Sequence, residues 1–390
     1  MSKKPRVSPL FAALFCVSTF ASMNVNANSF MSEMSYSRYT ATESQQAIRN
    51  DFSDKGVHSC AKQKKNNLRV KCVQSRSGFY SVFIALSRYV SKHSRYKLAS
   101  TRSVLLGSEL AGTFKLAKSM MNQGGYVADY FDLKNVSTSA NGKTRITGYY
   151  TPILQASHHK DSVYRVPVYK APKSHYQRTL TRAQIDSGQL GNKGLEIAWV
   201  KDPVEFFFMQ IQGSAILEFQ DGSQRALRFD ADNGIDFVSI PRYMKQVGII
   251  SNPSNRVAKQ WLSDNPHRQA AMMAVNKRYV FFKEVAVNQL TTSTMTKPLA
   301  WHTVAVDSRF IPHGSILLAK IPVIDQASGV KTGFAWRYLL AQDSGNAIKG
   351  DSHIDLYLGY GSKARQLTNA VTQYTEVYVL KPKAEKLVMK

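Results

Sequence analysis

Acidic residues are scarce in this chain. Its 390 residues include 26 Asp plus Glu against 52 Lys plus Arg, a net charge of +26, and no acidic residue occurs from Lys55 to Ser108. So large an imbalance calls for a negatively charged partner or an anionic neighbourhood. Charge alone does not choose among a solvated basic face, nucleic acid, anionic lipid and anionic wall polymer. Cysteine is also scarce, at 3 residues, and no Cys or His cluster stands at metal-ligand spacing, which argues against a metal site. The apolar run Leu10 to Phe20 is too short to span a bilayer as a stable helix. Lys349-Gly350 lacks the preceding glycine spacing and the following Ser or Thr of a phosphate loop. A calcium loop starting at Asp343 would need oxygen donors where Gly345, Ala347 and Ile354 stand. No internal repeat or low-complexity tract is visible, and nothing calls for a cofactor.

The length allows two domains of ordinary size. Lys3, Lys4 and Arg6 precede the apolar run, and Val25-Asn26-Ala27 follows it with the small residue a signal peptidase uses. Residues 1–27 therefore read as a secretory signal peptide, residues 28–44 as a polar leader, and the protein as exported to the periplasm. Cys16 lies inside the apolar run. Cys60 and Cys72 remain, and an even pair in an exported chain reads as a disulfide closing a small basic loop. Export without a basic recognition motif makes nucleic acid a poor partner. The tract 55–102 is better suited to an anionic wall or membrane surface, on a protein expected to be monomeric.

Apolar residues recur at helical spacing from Phe79 to Val90, and a second helix is expected from Leu105 to Met121. From Arg145 the period switches to strands. Gly148-Tyr149-Tyr150-Thr151-Pro152 reads as a strand whose proline marks an edge or a bend. Further strands are expected at Tyr164 to Lys170, Leu195 to Val200 and Phe206 to Phe219, with a hairpin turn at Gln220 to Ser223 leading into Gln224 to Phe229. Helical patterns follow near 240–246, 254–263 and 266–275. The last third reads as strand after strand, in a small barrel or a sandwich.

The stretch from Tyr338 to Gly361 carries the chemistry. An apolar run ends in Asp343, as a buried strand emerging at a rim would, and Ser344-Gly345-Asn346 supplies turn residues. Beyond Gly350 the period is two: His353, Asp355 and Tyr357 share one face, and Ile354, Leu356 and Leu358 the other. Apolar flanks of this kind suit a carboxyl held in its protonated form.

Asp343-Ser-Gly-Asn-Ala-Ile-Lys-Gly350, His353-Ile-Asp-Leu-Tyr357 and Gly359-Tyr-Gly361 together resemble the C-terminal signature of the membrane-bound lytic transglycosylase A family, which cleaves peptidoglycan. The match recurs in order at Gly148 to Pro152, at Thr181 to Ile185, at Asp202-Pro203 through Phe207 to Ser214, at Asp221-Gly222, and at Ala305-Val-Asp307 followed by Ile311 to Gly314. The resemblance implies a mainly β protein with helical segments. Its double-psi β-barrel catalytic domain would span 45–151 and 286–390, an inserted second β domain 152–285, and a glycan groove would lie between them. It also implies cleavage by a single acid, the substrate's own 6-hydroxyl closing on C1 to leave 1,6-anhydro-N-acetylmuramic acid. Asp355 matches that acid. Asp343 is the candidate neighbour that raises its pKa or stabilises positive charge. Tyr149, Tyr150, Gln212, Gly213, Ser214, Asp307 and Lys349 are candidates for glycan binding, since aromatic faces suit sugar rings and amides pair with hydroxyls. A silent glycan-binding barrel and a two-carboxylate hydrolase are the competing expectations. Many family members are lipoproteins. Here Phe15 precedes Cys16 where a lipidated cysteine needs a small residue, and Ala215 and Ile240-Pro241-Arg242 replace common glycines.

Overall fold

The computed structural model describes residues 62–64, 67–69, 78–93, 105, 107–123, 126–325 and 328–388. Residues 1–44, expected to be a signal peptide and leader, together with Cys60, Cys72 and most of the basic tract, lie outside the described residues. Strands β1 (Lys62–Lys64) and β2 (Asn67–Arg69) form a small antiparallel pair. Two helices follow, at Gly78–His93 and Gly107–Gln123. Phe79, Val82, Phe83, Leu86 and Val90 make one buried face of the first, and Leu110, Phe114, Ala117 and Met120 one of the second, as expected from their spacing.

The remaining strands divide between two sheets. β3 (Phe131–Asn135) and β4 (Thr144–Thr151) belong to the larger one. At Pro152 the chain leaves it, and β5 (Ile153–Ser157) opens the other. There it is joined by β6 (Val166–Tyr169), β7 (Glu196–Val200), β8 (Ser214–Phe219), β9 (Gln224–Asp232) and β10 (Val280–Val285), in a six-stranded sheet of order β10-β9-β8-β5-β7-β6. The chain then returns with β11 (Thr303–Ala305), β12 (Ile316–Ile324), β13 (Lys331–Asp343), β14 (His353–Tyr360), β15 (Gln373–Thr375) and β16 (Val377–Pro382). These complete an eight-stranded mixed sheet of order β15-β4-β14-β11-β13-β12-β16-β3. The bend anticipated at Pro152 is thus the crossing between sheets.

The expected strand from Phe206 to Phe219 is half wrong. Pro203–Gln212 is an α-helix and only Ser214–Phe219 is a strand. Asp202 starts the helix by accepting from the backbone N–H groups of Val204 and Glu205 at 2.8 and 3.1 Å, and Pro203 occupies its first position. Gly213 ends it with φ of 79°, a left-handed conformation that a Cβ disfavours. The helix carries apolar residues on two faces because it separates two cores. Phe206 and Met209 pack on the six-stranded sheet, while Val204, Phe207 and Phe208 face the helices Ile240–Gln246, Asn255–Asp264 and Gln269–Ala274. A continuous apolar run cannot reveal its period. The last third also holds two helices that the strand pattern did not suggest, Gly361–Leu367 and Ala384–Val388.

Arg182, in the Thr181-Arg-Ala-Gln-Ile185 motif, is buried inside the smaller sheet's assembly. It donates to the Asn276 and Arg278 carbonyls at 3.1 and 2.9 Å and to Gln210 Oε1 at 2.6 Å. Its guanidinium lies 4.6 Å from the Phe207 ring centroid. The motif is explained by this network, in which a buried cation meets acceptors already fixed by the fold.

Candidate active site

Four neighbouring strands build the site. β14 lies between β4, which it meets in parallel, and β11, which it meets antiparallel. Asp355 pairs with Thr147 on one side and with Ala305 on the other. Ala305 in turn pairs with Asp343 on β13. The two carboxylates therefore flank one residue, with Cα atoms about two strand spacings apart, ~9–10 Å.

Asp355 sits on the polar face of β14, as its alternation predicted, while Ile354 and Leu356 are fully buried on the other. Thr147 Oγ1 lies 2.7 Å from Asp355 Oδ1 and 2.9 Å from His353 Nε2. Burial pushes the Asp355 carboxyl up to about 6 against the downward pull of Thr147 and Arg145, and the Asp343 charge adds a smaller upward push. That places a proton donor near neutrality in a carboxyl whose ordinary value is 3.8.

Asp343 is held quite differently. Its Oδ2 accepts from Tyr149 Oη at 2.9 Å. Its Oδ1 accepts from the Ser293 N–H at 3.1 Å, the Ser293 hydroxyl at 2.8 Å and the Ser344 N–H at 3.0 Å. Donors thus converge on both oxygens, the environment of an acceptor-only carboxylate. Ser293 is aimed by Gln342, the residue before Asp343. Gln342 is fully buried and bonds Thr303 Oγ1 and Thr296 Oγ1, while its carbonyl accepts from the Thr294 N–H at 3.0 Å. His313 Nε2 braces the same corner, 3.1 Å from the Asp343 carbonyl and 2.9 Å from Ser344 Oγ. Burial and the adjacent Asp343 charge raise the Tyr149 phenol well above its usual range, so it remains a donor.

The loop between the two carboxylates is fixed at both ends. Asp307 accepts from the Gly350 N–H at 2.9 Å and from the Arg309 guanidinium at 2.9 and 2.6 Å. Those Arg309 hydrogen bonds hold its carboxyl down at about 2. Asp351 accepts from the Thr138 N–H and hydroxyl at 3.1 and 2.7 Å. Assigned by its partners, the Asn346 amide turns its oxygen to the Arg278 guanidinium, which also pairs with Asp232, so this loop is tied to the smaller sheet.

Several other expected glycan-binding residues are engaged within the protein. Tyr150 is buried in the core of the larger sheet, and its N–H donates to Gln212 Oε1 at 3.2 Å. Gly213 is the helix cap described above. Ser214 Oγ lies 3.4 Å from Thr151 Oγ1, which is 3.1 Å from Tyr357 Oη. Tyr357 stacks obliquely on Tyr149, with centroids 5.2 Å apart. Asp307 positions the loop. Lys349 is exposed and is not among the groups that shift Asp355. Thr147, His353 and Ser293 stand beside the carboxylates although the sequence did not single them out as functional. Among the described residues, no group of His, Cys, Asp and Glu could hold a metal ion.

The six-stranded sheet and the eight-stranded sheet that carries the acid each correspond to a known domain family. Residues 145–283 match the MltA specific insert domain, and residues 302–381 match the 3D domain. The chain is 31% identical over 228 residues to the membrane-bound lytic murein transglycosylase A of Vibrio cholerae, covering 57% of this chain and 61% of that protein. It therefore spans less than two thirds of that relative's length. It is 31% identical over 257 residues to the membrane-bound lytic murein transglycosylase A homolog of Buchnera aphidicola, covering 64% and 69%. The crystal structure of Escherichia coli MltA with bound chitohexaose shares the fold, with a TM-score of 0.66 at 23% identity over 83% of this chain and 98% of that one. The chain belongs to the membrane-bound lytic murein transglycosylase A family. Among the described residues, no helix is long and apolar enough to cross a membrane.

Proposed function

We propose that this protein is a peptidoglycan lytic transglycosylase with Asp355 as its single acid-base group. Asp355 gives its proton to the glycosidic oxygen between N-acetylmuramic acid and N-acetylglucosamine. The C1–O bond breaks with its electron pair going to that oxygen, and an oxocarbenium-like centre develops at C1. The 6-hydroxyl of the same muramic acid attacks C1 and returns its proton to Asp355, which leaves a 1,6-anhydro sugar. Intramolecular attack has the advantage of proximity and needs no second carboxylate to activate water.

The observation that carries this reading is the contrast between the two carboxyls. Asp355 is half-buried and desolvation raises its carboxyl to about 6, whereas both oxygens of Asp343 accept from Tyr149, Ser293 and Ser344. Asp343 suits a fixed negative charge opposite the developing positive carbon better than an attacking nucleophile. The glycan chemistry is carried over from relatives named lytic murein transglycosylases and from the neighbour bound to chitohexaose.

The glycan would lie between the larger sheet, with 45–151 and 286–390 as the catalytic domain, and the insert 152–285. Export to the periplasm and attraction of the net charge of +26 to an anionic surface fit the same role. Purified peptidoglycan digested with the protein should give fragments ending in 1,6-anhydro-N-acetylmuramic acid, lighter by one water than hydrolysis products. Fragments with a reducing end would make water the nucleophile and replace this mechanism with a two-carboxylate hydrolase.

A further inference from the structure

Thr147 has one hydroxyl proton and two neighbours that can take it. Its Oγ1 lies 2.9 Å from His353 Nε2 and 2.7 Å from Asp355 Oδ1. The arrangement follows from register: Thr147 pairs with Asp355 across the parallel β4–β14 ladder, and His353 precedes Asp355 by two residues on the same face. The Ala347 carbonyl raises the His353 ring, as an acceptor facing it does. With Nε2 turned to Thr147, the nitrogen left to face that carbonyl is Nδ1, and in the Nδ1–H tautomer proposed here Nε2 is a bare acceptor. The ring is neutral at working pH, because burial and the Arg145 and Arg242 guanidiniums push it down to about 4.

The geometry points to His353 as a positioning residue for the acid: by competing for the hydroxyl proton of Thr147, it turns that proton away from Asp355 and favours the protonated carboxyl. A carboxylate would be stabilised by the Thr147 proton. A carboxylic acid instead can donate to the Thr147 oxygen while Thr147 donates to His353. When Asp355 has given up its proton, the hydroxyl swings back to the bare oxygen, and when the proton returns it swings again to His353. No proton leaves Thr147 or His353 in this cycle. The hydroxyl has a partner in both states, which suits a group that must alternate between acid and base.

The other groups around the relay act on it independently. Arg145 on β4 lowers both Asp355 and His353. Arg242, from the helix Ile240–Gln246, lowers His353. Asp343 on β13 raises Asp355, and Tyr149 on β4 feels both carboxyls. None of these can substitute for the hydroxyl, since none shares its single proton between the two groups.

The inference rests on the proposed role of Asp355 but can be tested without turnover. The Asp355 carboxyl, labelled with carbon-13 and assigned by its loss in Asp355→Asn, should titrate near about 6 in the wild-type protein. His353→Leu should lower that value by roughly one unit, because Thr147 is then free to donate to the carboxylate. Thr147→Val should raise it, and adding His353→Leu to Thr147→Val should have no further downward effect. Such non-additivity is the signature of action through the hydroxyl. An unchanged or raised Asp355 titration in a folded His353→Leu protein would overturn the proposal.

Nitrogen-15 labelling of the wild-type histidine rings tests it without these substitutions. His353 should show an unprotonated Nε2 and a protonated Nδ1 near neutrality, and the opposite tautomer would overturn it. If the titration shifts are seen but no anhydro products form, the function proposed above fails and the relay stands. If the products form but the shifts are absent, the relay alone fails.

Discussion

Replacing Asp343 by Asn removes a charge and little else. The new side-chain oxygen can keep the Ser293 and Ser344 donors now on Oδ1, and the amide nitrogen can donate to the Tyr149 oxygen in place of the present bond to Oδ2. With the two residues flanking Ala305 at ~9–10 Å, unit charges interact by ~0.4–1.8 kcal/mol for effective dielectric constants from ~80 down to ~20. Because the Asp343 charge raises Asp355, its removal should lower the Asp355 value by ~0.3–1.3 units. The alkaline limb of the pH profile for glycan cleavage, where the acid loses its proton, should move to lower pH by that amount. The same loss of charge at the transition state should reduce kcat by ~2- to 20-fold, leaving a measurable rate. The assay is the initial rate of release of soluble fragments from purified peptidoglycan across a pH series. A shift of the limb to higher pH would refute the electrostatic argument. So would a fall of ~10⁴-fold or more, which would make Asp343 a proton carrier or a nucleophile.

Arg182→Met should destabilise the protein by ~3–5 kcal/mol, because the Asn276 and Arg278 carbonyls and Gln210 lose a buried donor. Urea unfolding of the two proteins measures the difference. Gly148→Ala should cost ~1–3 kcal/mol, since its Cβ would come within 2.7 Å of Leu358 and Val371 and 3.1 Å of the Thr368 Cα; a neutral effect on the thermal midpoint would show that these contacts relax freely. Asp355 should also leave a mark on stability. Its folded value of about 6 lies above the ordinary 3.8, so its favourable contribution is complete below about 3.8 and is lost as pH rises through about 6. Asp355→Asn should therefore gain up to ~3 kcal/mol over the wild-type protein at about pH 7, with the difference narrowing towards about pH 4. Thermal melts at the two pH values check this, and a difference independent of pH would contradict it.

Local periodicity carried much of the fold. The alternation from His353 to Leu358 put Asp355 on the polar face, and the apolar run into Asp343 made it the last residue of β13. Proline marked the crossing between sheets. The run from Phe206 to Phe219 resisted the same method because its helix is buried on several sides, and the capping by Asp202, Pro203 and Gly213 held the information that its apolar content did not. At the site, the carboxylates were legible as a linear motif, but their partners were not. Thr147 lies 208 residues from Asp355 in sequence, and Ser293 lies 50 from Asp343. Such contacts arise from strand order, and a Thr in a strand or a Ser in a loop has no pattern of its own to mark it. In the Gly148-Tyr-Tyr-Thr-Pro152 motif, Tyr149 and Tyr150 were expected to line the glycan groove. The motif combines a donor to Asp343, a core aromatic and a residue that bonds across to the smaller sheet.

The central claim is that Asp355 alone carries the proton, and turnover of purified peptidoglycan by Asp355→Asn tests it most directly. The variant should fold and sediment with peptidoglycan as the wild-type protein does, yet release no anhydromuropeptides, because an amide can neither deliver nor retake the proton. Release of those fragments by Asp355→Asn at a rate near that of the wild-type protein would contradict the account.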